Sequence, residues 1–250
     1  MAFTDTYTLT FCDQAENHAG MQKIGSLAKN GFSVDELTTF HTLLTSKGVH
    51  SEIVRLSHDA LVLVIRDGVN FLLNDNLAAN NLYNEHKNLK PIWDKKAFMR
   101  GRVVNKHARH NLCFADFSQV AEYDKGKGTI IDFKKLDLTN KLRLSLPNIF
   151  GEKALNMMAE ANYYYDFKKC YIGFHGDSER RRVIGIRIGA SIPLFFQWYN
   201  NCIPFGPMTQ ILLNHGDIYI MSEKSVGNDW KRRKIPTLRH AAGLPSILKI

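Results

Sequence analysis

The stretch from Tyr171 to Met221 constrains this chain more than any other. Short apolar runs follow one another there: Tyr171 to Phe174, Val183 to Ile188, Leu194 to Tyr199, Thr209 to Leu213 and Asp217 to Met221. Gly, Pro and Asn separate them at close spacing. Strands in such close succession pair as antiparallel neighbours. The spacing therefore predicts a sandwich or barrel and argues against alternating βαβ units.

The first 90 residues read as mixed α and β. Tyr7 to Phe11 alternates like a strand, and Ser33-Val34-Asp35-Glu36 has the form of a capping box. Leu37, Phe40, Leu43 and Leu44 follow at helical spacing until Gly48. Ser51 to Leu56 and Leu61 to Ile65 predict two strands, with a turn at Asp67-Gly68. Leu77 to Leu89 is helical in pattern, as is Glu152 to Ala161. The expected fold class is α+β, mainly β. An N-terminal extension over 1–90 precedes a β-rich domain over 91–250.

Composition enters as a limit. At 44% hydrophobic and 23% charged, the chain has ordinary globular proportions, which exclude disordered, collagen-like and coiled-coil classes. Its 33 Lys and Arg against 24 Asp and Glu give +9, which favours an anionic partner. Cys12, Cys113, Cys170 and Cys202 are far apart and show no C-x-x-C spacing, as expected of reduced thiols. Met1 to Gln14 lacks the form of a secretory signal, and no apolar run approaches the roughly 18 residues of a membrane span. The expectation is a soluble protein of the cytoplasm or nucleus with no membrane partner. Its oligomeric state is left open.

Between Lys87 and Arg109 the balance turns basic. Lys87, Lys90, Lys95, Lys96, Arg100, Arg102, Lys106 and Arg109 face only Asp94, with Trp93, Phe98, His107 and His110 interspersed. Cations mixed with flat rings suit a phosphate-lined, base-stacking surface. Arg180-Arg181-Arg182 and the run Lys231, Arg232, Arg233 and Lys234 are further candidates for phosphate contact.

Chemistry concentrates at His175-Gly176-Asp177. Side chains two apart on a strand point the same way, so the imidazole and carboxylate can share one cavity. They make two thirds of a facial triad for non-haem Fe(II), which leaves open coordination positions. A second histidine must come from further along. His215 lies in the tight turn Asn214-His215-Gly216-Asp217, whereas the start of Thr237 to Gly243 can be extended, which favours His240. Glu16 and His18, close in sequence, are expected to form only a local turn or a helix start.

The surroundings form a pattern. Asn162-Tyr163-Tyr164 precedes the His-x-Asp strand, the strand Phe195-Phe196-Gln197-Trp198 follows it, and Gly216-Asp217 opens another strand ending at Met221-Ser222. This order of N-x-Y, H-x-D, F-Q and G-D elements resembles the AlkB-like family of Fe(II)- and 2-oxoglutarate-dependent dioxygenases. The resemblance covers roughly Phe98 to the C-terminus and is strongest from Asn162 to Met221.

The resemblance implies a double-stranded β-helix, or jelly roll, with iron held by His175, Asp177 and His240. It implies that Asn162 and Tyr164 hydrogen-bond 2-oxoglutarate, and that Arg102 to Asp116, including Arg109, lies where the family carries a nucleotide-recognition lid. The implied reaction is oxidative demethylation of alkylated bases in DNA or RNA, as in DNA repair. The chain departs from the family after Asp217. The interval to His240 is long, and no R-x-N-x-T-x-R strand follows to bring the arginine that binds the distal carboxylate of 2-oxoglutarate. Arg239 and Arg187 are candidates for that role. If Arg239 took it, His240 would not be a ligand. An inactive nucleic-acid-binding or structural protein on the same fold is the alternative, as is a hydroxylase of a protein or small molecule.

Overall fold

The computed structural model describes every residue except Met1, Ala2, His58, Lys90, Pro91 and Lys249. Lys90 of the basic segment therefore lies outside the described residues. In chain order the elements are β1 (Thr6–Cys12), β2 (Gln14–Glu16), β3 (Lys23–Gly25), α1 (Val34–Ser46), β4 (Ser51–Arg55) and β5 (Leu61–Ile65). There follow α2 (Gly68–Leu73), α3 (Ala78–Asn88), β6 (Lys96–Met99), β7 (Arg102–Asn105), β8 (His110–Ala115), β9 (Ile130–Asp132) and α4 (Asp137–Ser145). The last strands are β10 (Met158–Tyr164), β11 (Ile172–His175), β12 (Val183–Gly189), β13 (Ile192–Asn200), β14 (Ile203–Leu213), β15 (Ile218–Met221) and β16 (Thr237–Ala242).

The protein is mainly β, built on two principal sheets. The larger has eight strands in the order β4-β5-β15-β12-β1-β10-β8-β9, and the smaller has four, β11-β16-β13-β14. Two-stranded ribbons, β2-β3 and β6-β7, stand apart from both.

Alternation along the strands builds the layers. On β12, Ile184, Ile186 and Ile188 face one way, into a core shared with Leu37 and Leu44 of α1, Leu82 of α3 and Leu142 of α4. Val183 on the same strand faces the smaller sheet and packs with Leu194, Phe196, Trp198 and Leu238. On β1, Tyr7, Leu9 and Phe11 enter the helical side, while Thr8 and Thr10 face the smaller sheet. The result is three layers: helices, large sheet, small sheet. The capping box closes the start of α1, where the Glu36 amide donates to Ser33 Oγ and the Ser33 amide donates to the Glu36 carboxylate.

Two expectations are corrected. Glu152 to Ala161 is not a helix: only Glu152–Ala154 makes a short turn, and β10 begins at Met158. Asn156 is left-handed, with φ at 51°, which breaks any helix there. Beyond it Ala159, Ala161 and Tyr163 alternate with Glu160, Asn162 and Tyr164, a period of two. Nor does the sheet divide at residue 90. β1 lies between β10 and β12, antiparallel to both, and β5 pairs with β15. No helix among the described residues is long and apolar enough to cross a membrane.

Candidate metal centre

His175 ends β11 and lies directly opposite His240 on antiparallel β16. Leu238 and Ala242, two residues to either side of His240, belong to the inner core, so His240 shares the inward face. Arg239 must point the other way, and its guanidinium lies 4.1 Å from the Tyr199 ring and 5.2 Å from that of Trp230. Strand alternation thus answers the question of which residue turns toward His175. Asp177 lies two residues beyond the end of β11, tied down by its amide donating to Val226 O at 3.1 Å.

The residue between the two must be small. A Cβ on Gly176 would come within 2.2 Å of Gly227 O and 2.6 Å of Trp230 Cβ. The chain segment bearing Trp230 therefore passes directly over the His-Gly-Asp backbone.

One ligand atom from each of His175, Asp177 and His240 lies within 4.8 Å of the others. Asp177 Oδ1 is 3.4 Å from His175 Nε2 and 3.6 Å from His240 Nε2. His175 Nδ1 donates to Gly173 O at 2.8 Å, which leaves Nε2 unprotonated in the neutral ring and available to a cation. Burial holds the pKa of His240 below its ordinary value against the pull of Asp177, so the ring is neutral. Burial also works against ionisation of Asp177. The buried Arg180 guanidinium beside it, with the two imidazoles, outweighs burial and keeps the carboxyl well below the usual range. Two imidazoles and one carboxylate form the donor set that suits Fe(II) with open positions.

Behind the triad is a cavity of about 50 Å³, also lined by Thr8, Asn162, Tyr164 and Arg187. Arg187 is 1% exposed, yet among the described residues its Nε and Nη1 have no hydrogen-bond partner and no carboxylate forms an ion pair with it. Burial lowers its pKa, offset in part by Tyr164, Tyr219 and Asp217. A buried, unpaired guanidinium costs several kcal/mol, roughly, unless an anion joins it. Asn162 Oδ1 accepts from Arg109 Nε at 2.6 Å and Asn111 Nδ2 at 2.7 Å, which leaves its NH2 as the group it can offer. In front of the triad an open cleft of about 640 Å³ is bordered by Phe174, Trp230, Lys231, His18, Glu16 and Arg109.

The other expected site residues fall into two groups. Arg102, Lys231, Arg232 and Arg233 are exposed, with Arg109 half-buried at the cleft. Arg180, Arg181 and Arg182, expected as candidates for phosphate contact, are instead engaged by partners within the fold. Arg180 is 2% exposed and pairs with Glu160 at 2.6 Å and Glu179 at 2.7 Å. Arg181 pairs with Glu223, and Arg182 donates to Asn30 O and Lys153 O. Glu179 is a sequence neighbour of Arg180, but Glu160 comes from β10 and Glu223 from beyond β15, out of reach of a local reading. His215 is remote in role, since its Nδ1 accepts from the Gly189 amide and its ring packs on Phe3.

Several lining residues escaped the sequence reading. Glu16 and His18 form the expected local turn, with Glu16 Oε1 accepting from the Gly20 amide and His18 O from that of Met21, and they also border the cleft. Thr8 and Thr10 reach the cavity from the far end of the chain, where the alternation Thr-Tyr-Thr-Leu-Thr-Phe was the one available signal. A larger groove of about 820 Å³ runs past the N-terminus of α1. Lys153, Arg181 and Lys224 there are already paired with Glu36, Glu223 and Asp229.

No family model matches the chain. It is 47% identical over 256 residues to the uncharacterized protein R156 of Acanthamoeba polyphaga mimivirus, an alignment that covers 98% of each chain. Identity at that level along nearly the whole of both chains means that this protein belongs to the same family as the mimivirus protein.

Proposed function

We propose that this protein is an AlkB-like Fe(II)- and 2-oxoglutarate-dependent oxygenase that demethylates alkylated bases in nucleic acid. The observation that carries the reading is one cavity holding a two-histidine, one-carboxylate triad together with a buried arginine whose Nε and Nη1 have no partner. A metal with open positions and an anionic cosubstrate answer both features at once.

Sheet order supports the jelly-roll part of the proposal. The strands β10-β1-β12-β15 face β11-β16-β13-β14, two antiparallel sets of four. Both β10 and β12 are antiparallel to β1, so they run parallel to each other and need a strand between them. The family strand expected after the second histidine is missing from this sequence. Here β1, from the other end of the chain, fills the slot between β10 and β12. The arginine moves with this change: Arg187 stands on β12, opposite Thr8 of β1.

In the proposed reaction His175, Asp177 and His240 would hold the iron. Arg187 binds one carboxylate of 2-oxoglutarate, with Tyr164 and the Asn162 NH2 beside it. The 50 Å³ cavity has room for roughly four water-sized groups, which would suit a carboxylate. Bound together, iron, 2-oxoglutarate and molecular oxygen would supply oxidation of a substrate C–H bond, one oxygen atom ending in succinate as carbon dioxide leaves and the other in the hydroxylated N-methyl group, which departs as formaldehyde. The buried walls around His240 and Arg187 keep water from the oxidising centre.

The substrate part rests on the cleft and its basic border. Arg109 and Lys231 flank the opening, and exposed Lys95, Lys96, Arg100 and Arg102 follow on and around the β6-β7 ribbon. A base flipped from its stack would enter between them, with its backbone against these cations. The test is incubation with Fe(II), 2-oxoglutarate and a methylated oligonucleotide. Formaldehyde and succinate should appear together. Succinate formed with a peptide and with no nucleic acid would replace this reading by that of a protein hydroxylase.

A further inference from the structure

Beside the cleft, and sharing its residues His18, Arg109 and Asn111, lies a separate recess of about 270 Å³. Lys106, in the loop between β7 and β8, lines it together with Met99 and Val104 of the ribbon. No Asp or Glu lines it. Among the described residues its two cations hydrogen-bond only to amide oxygens. Lys106 Nζ donates to Asn17 Oδ1 at 2.9 Å and Asn111 Oδ1 at 3.0 Å, and Arg109 Nε donates to Asn162 Oδ1 at 2.6 Å.

The nearest carboxylates are committed elsewhere. Asp94 accepts from Asn17, Thr129 and Tyr123, and Glu160 pairs with Arg180. Both attract Lys106 from a distance, but burial prevails and lowers its pKa to about 8, with Arg109 adding to the fall. The two cations also act on His18, lowering its pKa beyond what burial does. An amide oxygen fixes a cation without neutralising it, so the recess stays electropositive until an anion arrives. One Lys106 N–H and both Nη groups of Arg109 remain to receive it.

We propose that this recess binds a phosphate group, held between the Lys106 ammonium and the Arg109 guanidinium. A carboxylate offers two oxygens in one plane and a single charge. A phosphate presents more oxygens in a compact tetrahedron, which suits a point ammonium beside a planar fork. Met99 and Val104 supply an apolar wall for the carbon atoms of its ester. The inner cavity of about 50 Å³ is a different place, with Arg187 as its cation. Two sources share the phosphate chemistry. One is the backbone of a nucleic acid whose base enters the cleft, which rests on the oxygenase reading above. The other is a small phosphorylated molecule, which does not.

The test is calorimetric titration of the full chain with inorganic phosphate, without iron or 2-oxoglutarate, so its outcome is independent of turnover. One saturable site is expected, with the His18 ring resonance moving in step. Lys106→Gln removes the charge but keeps a donor for Asn17 and Asn111, and Arg109→Gln removes the fork. Each should weaken phosphate binding at least about tenfold. Arg102→Gln, exposed at the start of β7, should leave it unchanged. Where melting curves show that Lys106→Gln does not fold, Arg109→Gln decides. Displacement of phosphate by an unmodified single-stranded oligonucleotide identifies the nucleic-acid backbone as the source. Displacement by a nucleoside monophosphate but not by the oligonucleotide identifies a small molecule. A wild type without saturable phosphate binding, or binding indifferent to both substitutions, overturns the proposal.

Discussion

His175 and His240 face each other across the β11-β16 ladder with ring centroids 4.5 Å apart. Two histidines 65 positions apart in sequence are thus cross-strand neighbours, and Asp177 closes the third side. If this group binds Fe(II), His240→Ala should lower the affinity by more than the roughly 10- to 100-fold that loss of a supporting residue costs. Arg239→Ala should leave it unchanged, because that side chain lies on the opposite face against Tyr199. Anaerobic absorbance on adding Fe(II) and 2-oxoglutarate reads both: a weak visible band in wild type and Arg239→Ala, none in His240→Ala. Equal bands in all three would remove His240 from the site.

Arg187 should show stability and function in opposition. Arg187→Met removes a buried cation that lacks an ion pair, so the protein without ligand should gain about 1–4 kcal/mol. The same change should weaken 2-oxoglutarate binding on the order of a hundredfold. Denaturant unfolding and cosubstrate titration give the two numbers. A variant that loses stability would mean that Arg187 is already compensated within the fold.

Gly176→Ala tests the packing over the triad. Its methyl group meets a backbone carbonyl, which cannot move as a side-chain tip can. A destabilisation of about 1–3 kcal/mol is expected, together with weakened metal binding. Unchanged unfolding and iron titration curves would show that the Trp230 segment yields without cost.

The arginines should separate by partner. Arg102→Gln and Arg233→Gln, both exposed, should each reduce the salt dependence of nucleic-acid binding by about one phosphate contact and leave folding alone. Arg180→Gln leaves Glu160 and Glu179 without their cation and should cost about 3–5 kcal/mol of stability. Identical melting curves for the three variants would contradict the structural assignment of Arg180.

His86 makes stability pH-dependent away from the site. It is fully buried; its Nε2 is 2.9 Å from Thr139 Oγ1, and its Nδ1 has no partner. Burial lowers its pKa from 6.5 to about 3. Between those values the unfolded chain takes up a proton that the folded chain refuses. Its contribution is complete above pH 6.5 and declines by up to about 1.4 kcal/mol per unit as pH falls toward 3. Urea unfolding across that window should show a shallower decline in His86→Leu. Parallel slopes for wild type and variant would assign the acid sensitivity elsewhere.

Much of the fold could be read locally. Alternation marks β1, β5, β12, β13 and β15, and the capping box marks α1, because strand pleat and helix caps depend on neighbours a few residues apart. The His-Gly-Asp spacing is local in the same sense. Local pattern failed at β10, where short-range helical spacing gave way to two sheet neighbours, and at residue 90, since composition does not reveal which strand fills a slot. The position of β1 between β10 and β12, the union of Arg187 with the triad, and the neutralisation of Arg180 by Glu160 all depend on long-range pairing. A row of residues states which side chains share a face. It takes the closed sheets to decide which faces meet, because that depends on burying the whole apolar surface at once.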